Sequence, residues 1–285
     1  MSEKQRAVIA KTHQVYGKCL TDKELKDDFI RLGIRSGMNL LVHCSLSRIG
    51  WICGGPVTLI NVLLDLLGSD GTLIMPSHTA DNSEPKYWQN PPVPEPWFQI
   101  IRESMPAYQP EITPTYEMGI VAETFRHWPQ VQRSQHPLFS MIARGKNAQL
   151  ILNEHNDCCG EQSPLARLYD LQDNAFVLLL GVQHQNNTSI HLAEYRYQIN
   201  RQIQPKFTIG TAIQHPLTKT RQWHEWIDYD YTADDFNQIG NEFEQIQGNV
   251  FIGNIGLAQS RLMKQYVLVD FATQWMDKHR TNQFH

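Results

Sequence analysis

The sequence predicts an α/β protein: a three-layer α/β/α sandwich around a mostly parallel mixed sheet. Three observations predict it. Short apolar runs, "NLLVHCSL", "GTLIMPS" and "AFVLLLGV", read as buried strands. Segments with apolar residues at helical spacing stand beside them. The order strand, helix, strand implies a crossover, which makes the joined strands parallel. The chain has 285 residues with no linker or internal repeat, so one domain is expected over 1–285, its core at about 21–277.

The elements follow in order. "TDKELKDDFIRLGI" is a capped amphipathic helix that starts at Thr21 or Asp22 and ends before Gly33. "NLLVHCSL" (Asn39 to Leu46) is the first strand. "GGPVTLINVLLDLLG" opens on Gly54 and Gly55, has Pro56 as its first helical residue and stops at Gly68. "GTLIMPS" is the second strand and "AFVLLLGV" the third; "QYVLVDFATQWM" is a strand or a helix near the end. Between Asp81 and Tyr116 the chain is rich in proline and aromatics. That stretch reads as a long ordered excursion over the core, either walling a pocket or simply packing.

Composition narrows the function classes. At 41% hydrophobic and 19% charged the chain has the make-up of a globular enzyme. No apolar run approaches the roughly 20 residues that span a bilayer, and the N-terminus lacks a signal-peptide core, so a cytoplasmic protein without membrane contact is expected. The net charge of -4 and the absence of a basic patch argue against nucleic acid. Five cysteines (Cys19, Cys44, Cys53, Cys158, Cys159) lack Cys-x-x-Cys spacing, so neither disulfides nor a metal site is expected. From Gln222 to Ser260 there is no Lys or Arg, only acids; this is a solvated face or a wall for a cationic ligand.

Two constellations carry chemistry. "HCSLSRIGWICGGP" leads from a strand into a helix through hydroxyls and glycines, which suits an anion, although Ser45 and Ser47 equally suit backbone capping. "RSQHPLFSMIARG" offers further small donors beside Arg133. In "NNTSIHLAEYR", His191 follows a strand end, where α/β ligands gather. Ser189 or Thr188 would cap a helix there, and Glu194 stands three residues on. Such a pair serves a general base, or else only local packing. One His-x-x-Glu is not a zinc site. No Gly-x-Ser-x-Gly elbow is present, and Cys53 beside the glycines is the one candidate nucleophile.

"VHCSLSRIGWICGGPVTLINVLLDLLGSDGTLIMPSHT", "TPTYEMGIVAETFRHWPQVQRSQHPLFSMIARG", "SPLARLY" and "LLLGVQHQNNTSIHLAEYR" resemble, in order and spacing, the aminoglycoside 3-N-acetyltransferases from about Leu25 to Trp275. The resemblance implies transfer of acetyl from acetyl-coenzyme A to an amine, typically the 3-amino group of 2-deoxystreptamine, with resistance to the antibiotic as the outcome. It implies His191 as base, and Asp230, in "EWIDYDYTADDF", as the carboxylate that orients it, with Asp228 and Glu225 close behind. It implies Ser45, Leu46, Ser47 and Gly55 as coenzyme A contacts, with Ser134, His136 and Ser140 along the same arm. Asp81, Glu84, Glu123, Glu225 and Asp228 become candidates for a polycationic substrate. No metal is implied, and a homodimer is compatible with the family. Cys44 stands where a serine is common, and "PSHTADNSEPKYW" departs from the usual stretch. The alternatives are the same fold and donor acting on a different amine, or a binding module without turnover.

Overall fold

The structure, a computed structural model, describes residues 2–280. Two helices come first, α1 (Glu3–Tyr16) and α2 (Asp22–Leu32). The start of α2 is closed by Glu24, whose carboxylate accepts from the Thr21 amide at 2.9 Å and the Thr21 hydroxyl at 2.5 Å. Strand β1 (Asn39–Cys44), the short helix α3 (Leu46–Ile49), helix α4 (Pro56–Leu67) and strand β2 (Thr72–Pro76) form the first crossover. β1 pairs parallel with β2, as expected.

The excursion holds one regular helix, α5 (Trp97–Ser104), and rejoins the core at α6 (Gly119–Arg126). Strands β3 (Gln132–Arg133) and β4 (Met141–Gly145) and helices α7 (Ala148–Leu152) and α8 (Pro164–Asp170) lead into β5 (Ala175–Leu180). Helix α9 (Ser189–Asn200) follows, then the hairpin β6 (Phe207–Gln214) and β7 (Arg221–Asp228). Helix α10 (Phe236–Glu244), strands β8 (Val250–Ile255) and β9 (Ala258–Lys264), and helix α11 (Gln265–His279) complete the described chain. The last apolar segment, open between strand and helix, is therefore a helix.

The seven-stranded sheet has the order β3-β4-β2-β1-β5-β9-β8. Its centre, β2-β1-β5, is parallel. Both flanks are antiparallel, so the parallel share is smaller than the crossover reading suggests. The cause is topological. The excursion returns through β4 against β2, and β8–β9 is a hairpin laid on β5, which needs no crossover. Gly256 makes that hairpin possible: its φ is +56°, and an added Cβ would stand 2.4 Å from the Ile49 carbonyl oxygen.

Alternation along each strand builds the three layers. Leu40, Val42, Leu73 and Leu178 pack with α2, α4 and α6, whereas Leu41, Ile74, Val177 and Leu179 pack with α7 to α11. His43 falls in register with Leu41, so strand geometry directs it to the α9 face. The excursion docks on the separate β6–β7 sheet: Tyr87 stacks on Phe207 at 4.4 Å, and the Asn82 amide donates to the Thr211 hydroxyl at 3.2 Å. Tyr87 thus packs, whereas Tyr108 lines a cavity of about 830 Å³, so the excursion does both.

Candidate active site

β5 delivers the chain to the carboxyl edge of the parallel centre, and α9 begins there. The helix start is not capped by Thr188 or Ser189. Asn187 does it, its side-chain oxygen accepting from the Ser189 amide at 3.2 Å. His191 lies in the first turn of α9, half-buried, its ring edge-on to Tyr231 and tilted against Phe236. Its Nδ1 is 2.9 Å from Glu194 Oε2. A carboxylate at Nδ1 selects the tautomer that donates there, leaving Nε2 with a free lone pair.

Glu194, not Asp230, is the carboxylate in contact with His191. Glu194 is buried, and its other oxygen accepts from the Thr232 amide at 3.1 Å and from Arg280 Nη1 at 2.7 Å. Arg280 in turn binds Asp235 through Nε and Nη2, at 2.7 and 2.6 Å. Asp230 is exposed, and only its backbone carbonyl meets this region, 3.5 Å from Gln198 Nε2. Asp228 accepts from the Tyr229 amide at 2.7 Å, and Glu225 from Trp223 Nε1 at 2.9 Å. A helical turn already brings position 194 beside His191, whereas the 229–235 loop turns the Thr232 amide inward and leaves Asp230 exposed.

His191 faces a cavity of about 240 Å³ lined also by His43, His78, Thr188, Glu117 and Met118. His43 and His78 escaped the sequence reading, although His43 is the last residue but one of β1 and His78 lies two residues past β2. Burial, with His191 nearby, depresses His43 to about 3, and burial likewise holds His78 at about 3. Both rings are therefore neutral beside His191. His43 Nε2 approaches the Thr188 hydroxyl at 3.4 Å.

A second cavity of about 880 Å³ shares Cys44, Glu117, Met118, Val182 and Asn186 with the first, so the two form one groove. Ser45, Leu46, Ser47 and Gly55 are brought together on its wall. Ser134, His136 and Ser140 are not. They are buried in a polar network beneath the excursion. Ser134 Oγ accepts from the Met141 amide and meets His155 Nδ1 at 2.8 Å. Ser140 Oγ donates to the Ser77 carbonyl at 2.7 Å and accepts from Arg133 Nε. His136 Nδ1 accepts from two backbone amides and its ring borders a different cavity, of about 830 Å³, beside Trp226.

The substrate candidates scatter. Asp81 is exposed on a turn and does not line the His191 cavity. Glu84 is buried and held bidentate by Arg102 at 3.0 and 2.6 Å. Burial raises its pKa, but the Arg102 bonds outweigh that and lower it. For Glu123, burial is likewise overcome by Arg126 and Thr115, which hold the carboxyl at about 2. Cys53 is exposed and lines neither part of the groove. Among the described residues no three His, Cys, Asp or Glu side chains cluster as a metal would require, and no helix is long and apolar enough to cross a membrane.

The aminoglycoside 3-N-acetyltransferase family model matches residues 41–277. The SPbeta prophage-derived aminoglycoside N(3')-acetyltransferase-like protein YokD of Bacillus subtilis (strain 168) is 42% identical over 258 residues, covering 90% of this chain and 92% of that protein. Its crystal structure superposes with a TM-score of 0.90 at 39% identity, covering 97% and 99% of the two chains. Aminoglycoside N(3)-acetyltransferase III of Pseudomonas aeruginosa is 31% identical over 274 residues, covering 90% and 93%. A structure of AAC-IIIb binary with CoASH gives a TM-score of 0.77 at 27% identity over 92% and 97%. With matching motifs, sheet and helices over nearly its whole length, the chain belongs to the aminoglycoside 3-N-acetyltransferase family of acyltransferases.

Proposed function

We propose that this protein transfers acetyl from acetyl-coenzyme A to an amine, with His191 as general base and an aminoglycoside 3-amino group as the acceptor. One observation carries the reading: Nδ1 of His191 is held by a buried carboxylate while the ring faces the inner end of a long groove. The groove takes the extended donor, the neighbour's bound CoASH being the same chemistry. Its thioester then lies beside His191.

The steps balance without a protein nucleophile. Nε2 takes a proton from the acceptor amine as its nitrogen attacks the thioester carbon. The C–S bond breaks, and the imidazolium returns that proton to the departing sulfur. Glu194 stabilises the imidazolium, and neutral His43 and His78 add no opposing charge. Such a base contributes about 100- to 10,000-fold. In cells the reaction would disarm the antibiotic. The whole chain acts as one catalytic domain.

A second reading has an observation of its own. Glu84 and Glu123, expected to meet a polycation, are already neutralised by Arg102 and Arg126. A different amine acceptor would not need them. The test is thiol release from acetyl-coenzyme A with a panel of aminoglycosides and simple amines. Turnover with 2-deoxystreptamine aminoglycosides supports the first reading. Thiol release with simple amines alone selects the second, and none with any acceptor rejects both.

A further inference from the structure

We infer that α1, together with Arg48, forms the phosphate-binding end of the groove, with Lys4, Lys11 and Arg48 as its cations. The inference rests on the donor reading above and assigns residues to that donor's charged end.

The groove has two chemically distinct ends. Its inner end is the His191 cavity, where Glu117, which also lines the 880 Å³ groove, is the one carboxylate among the described residues. Its outer end continues into a cavity of about 450 Å³ that shares Lys4, Val8, Ser47, Arg48 and Val182 with the 880 Å³ groove. Lys11 stands on this outer wall, which carries no carboxylate among the described residues. Lys4 and Lys11 lie seven residues apart on α1, so they share one helix face with Val8 between them. Lys4, Lys11 and Arg48 are exposed and enter no ion pair within the described residues, in contrast to Lys18, Lys23 and Lys146.

α1 is clasped to the groove. Thr12 is buried, and its hydroxyl accepts from the Trp51 amide at 2.8 Å while donating to the Val8 carbonyl at 2.7 Å. Gly50 admits this contact, since an added Cβ would stand 2.9 Å from Thr12 Oγ1. The helix thereby fixes its cations over the Ser45–Trp51 turn. Coenzyme A carries its thiol at one end and its phosphates at the other. A groove that is cationic outside and ends inside at the base binds that molecule in one direction only.

The test measures binding of coenzyme A and of pantetheine, which lacks the nucleotide and all phosphates, to the parent, to the triple variant K4A/K11A/R48A and to K26A as a remote charge control. The triple variant should bind coenzyme A at least about tenfold more weakly, with pantetheine unchanged and a flatter salt dependence. K26A should match the parent. Thermal unfolding confirms that the surface changes leave the fold intact; the charge-keeping variant K4R/K11R/R48K should retain affinity if they do not. Equal coenzyme A affinity and salt slope in parent and triple variant overturn the assignment. A parent that binds neither molecule overturns the donor reading itself, and the inference with it.

Discussion

Charges around His191 are shared, whereas charges across the excursion are closed into pairs. Glu194 serves His191, the Thr232 amide and Arg280 at once, and Arg280 serves two carboxylates. Glu84 and Arg102, by contrast, satisfy one another through two bonds, and on α6 Glu123 is closed off by Arg126 together with Thr115. A closed pair has little left to offer a ligand. A shared network ends in a ring that faces the groove and can still accept a proton. Chemistry follows the open end of a network, whatever the local density of acids.

Four measurements break or sharpen this contrast. His191→Ala should reduce kcat about 100- to 10,000-fold while coenzyme A still binds by calorimetry; full turnover would sink the base assignment. Arg280→Met should destabilise the protein by about 3–5 kcal/mol in urea unfolding, because Glu194 would stay buried without its cation. Arg102→Met, in the paired region, should cost less, as its side chain is 29% exposed against 3% for Arg280. Glu194→Gln should reduce kcat about 10- to 100-fold with little change in the donor's KM, whereas Asp230→Asn should stay within about twofold. The reverse order would restore Asp230 as the orienting carboxylate.

The pH response is the mildest probe. Unfolded histidines take protons near pH 6.5, but folded His43 and His78 resist down to about 3. Below the unfolded value the unfolded state binds more protons, so stability falls as the pH drops from 6.5 towards 3. Each such imidazole accounts for about 1.4 kcal/mol per pH unit. His43→Gln should flatten the fall in melting temperature between about pH 6 and 4; an unchanged slope would mean that His43 is not neutral in the fold.

The parts legible in the sequence share a cause. Capped helices, buried strands and the first crossover are written in neighbouring residues, and so is the pairing of His191 with Glu194, one helical turn apart. What failed depended on distance. The Arg133 network uses small hydroxyls beside a cation, the same signature as an anion site, and only the fold shows Ser134 and Ser140 buried and bonded within the protein. His43 and His78 lie at strand ends among apolar residues, and the alternation that sends His43 towards α9 is informative only once α9 is known to cover that face. The antiparallel flanks were hidden because the long excursion and the β8–β9 hairpin leave no local mark of which strand they return to.

Arg280 gives the molecule an order of assembly. During synthesis the sheet strands and α9 are made before this residue, so every group that lines the inner cavity already exists. The guanidinium behind Glu194 is added after them, and only then does that buried carboxylate gain its cation. A chain truncated before Arg280 should therefore be less stable than the parent, because Glu194 would be buried without its cation.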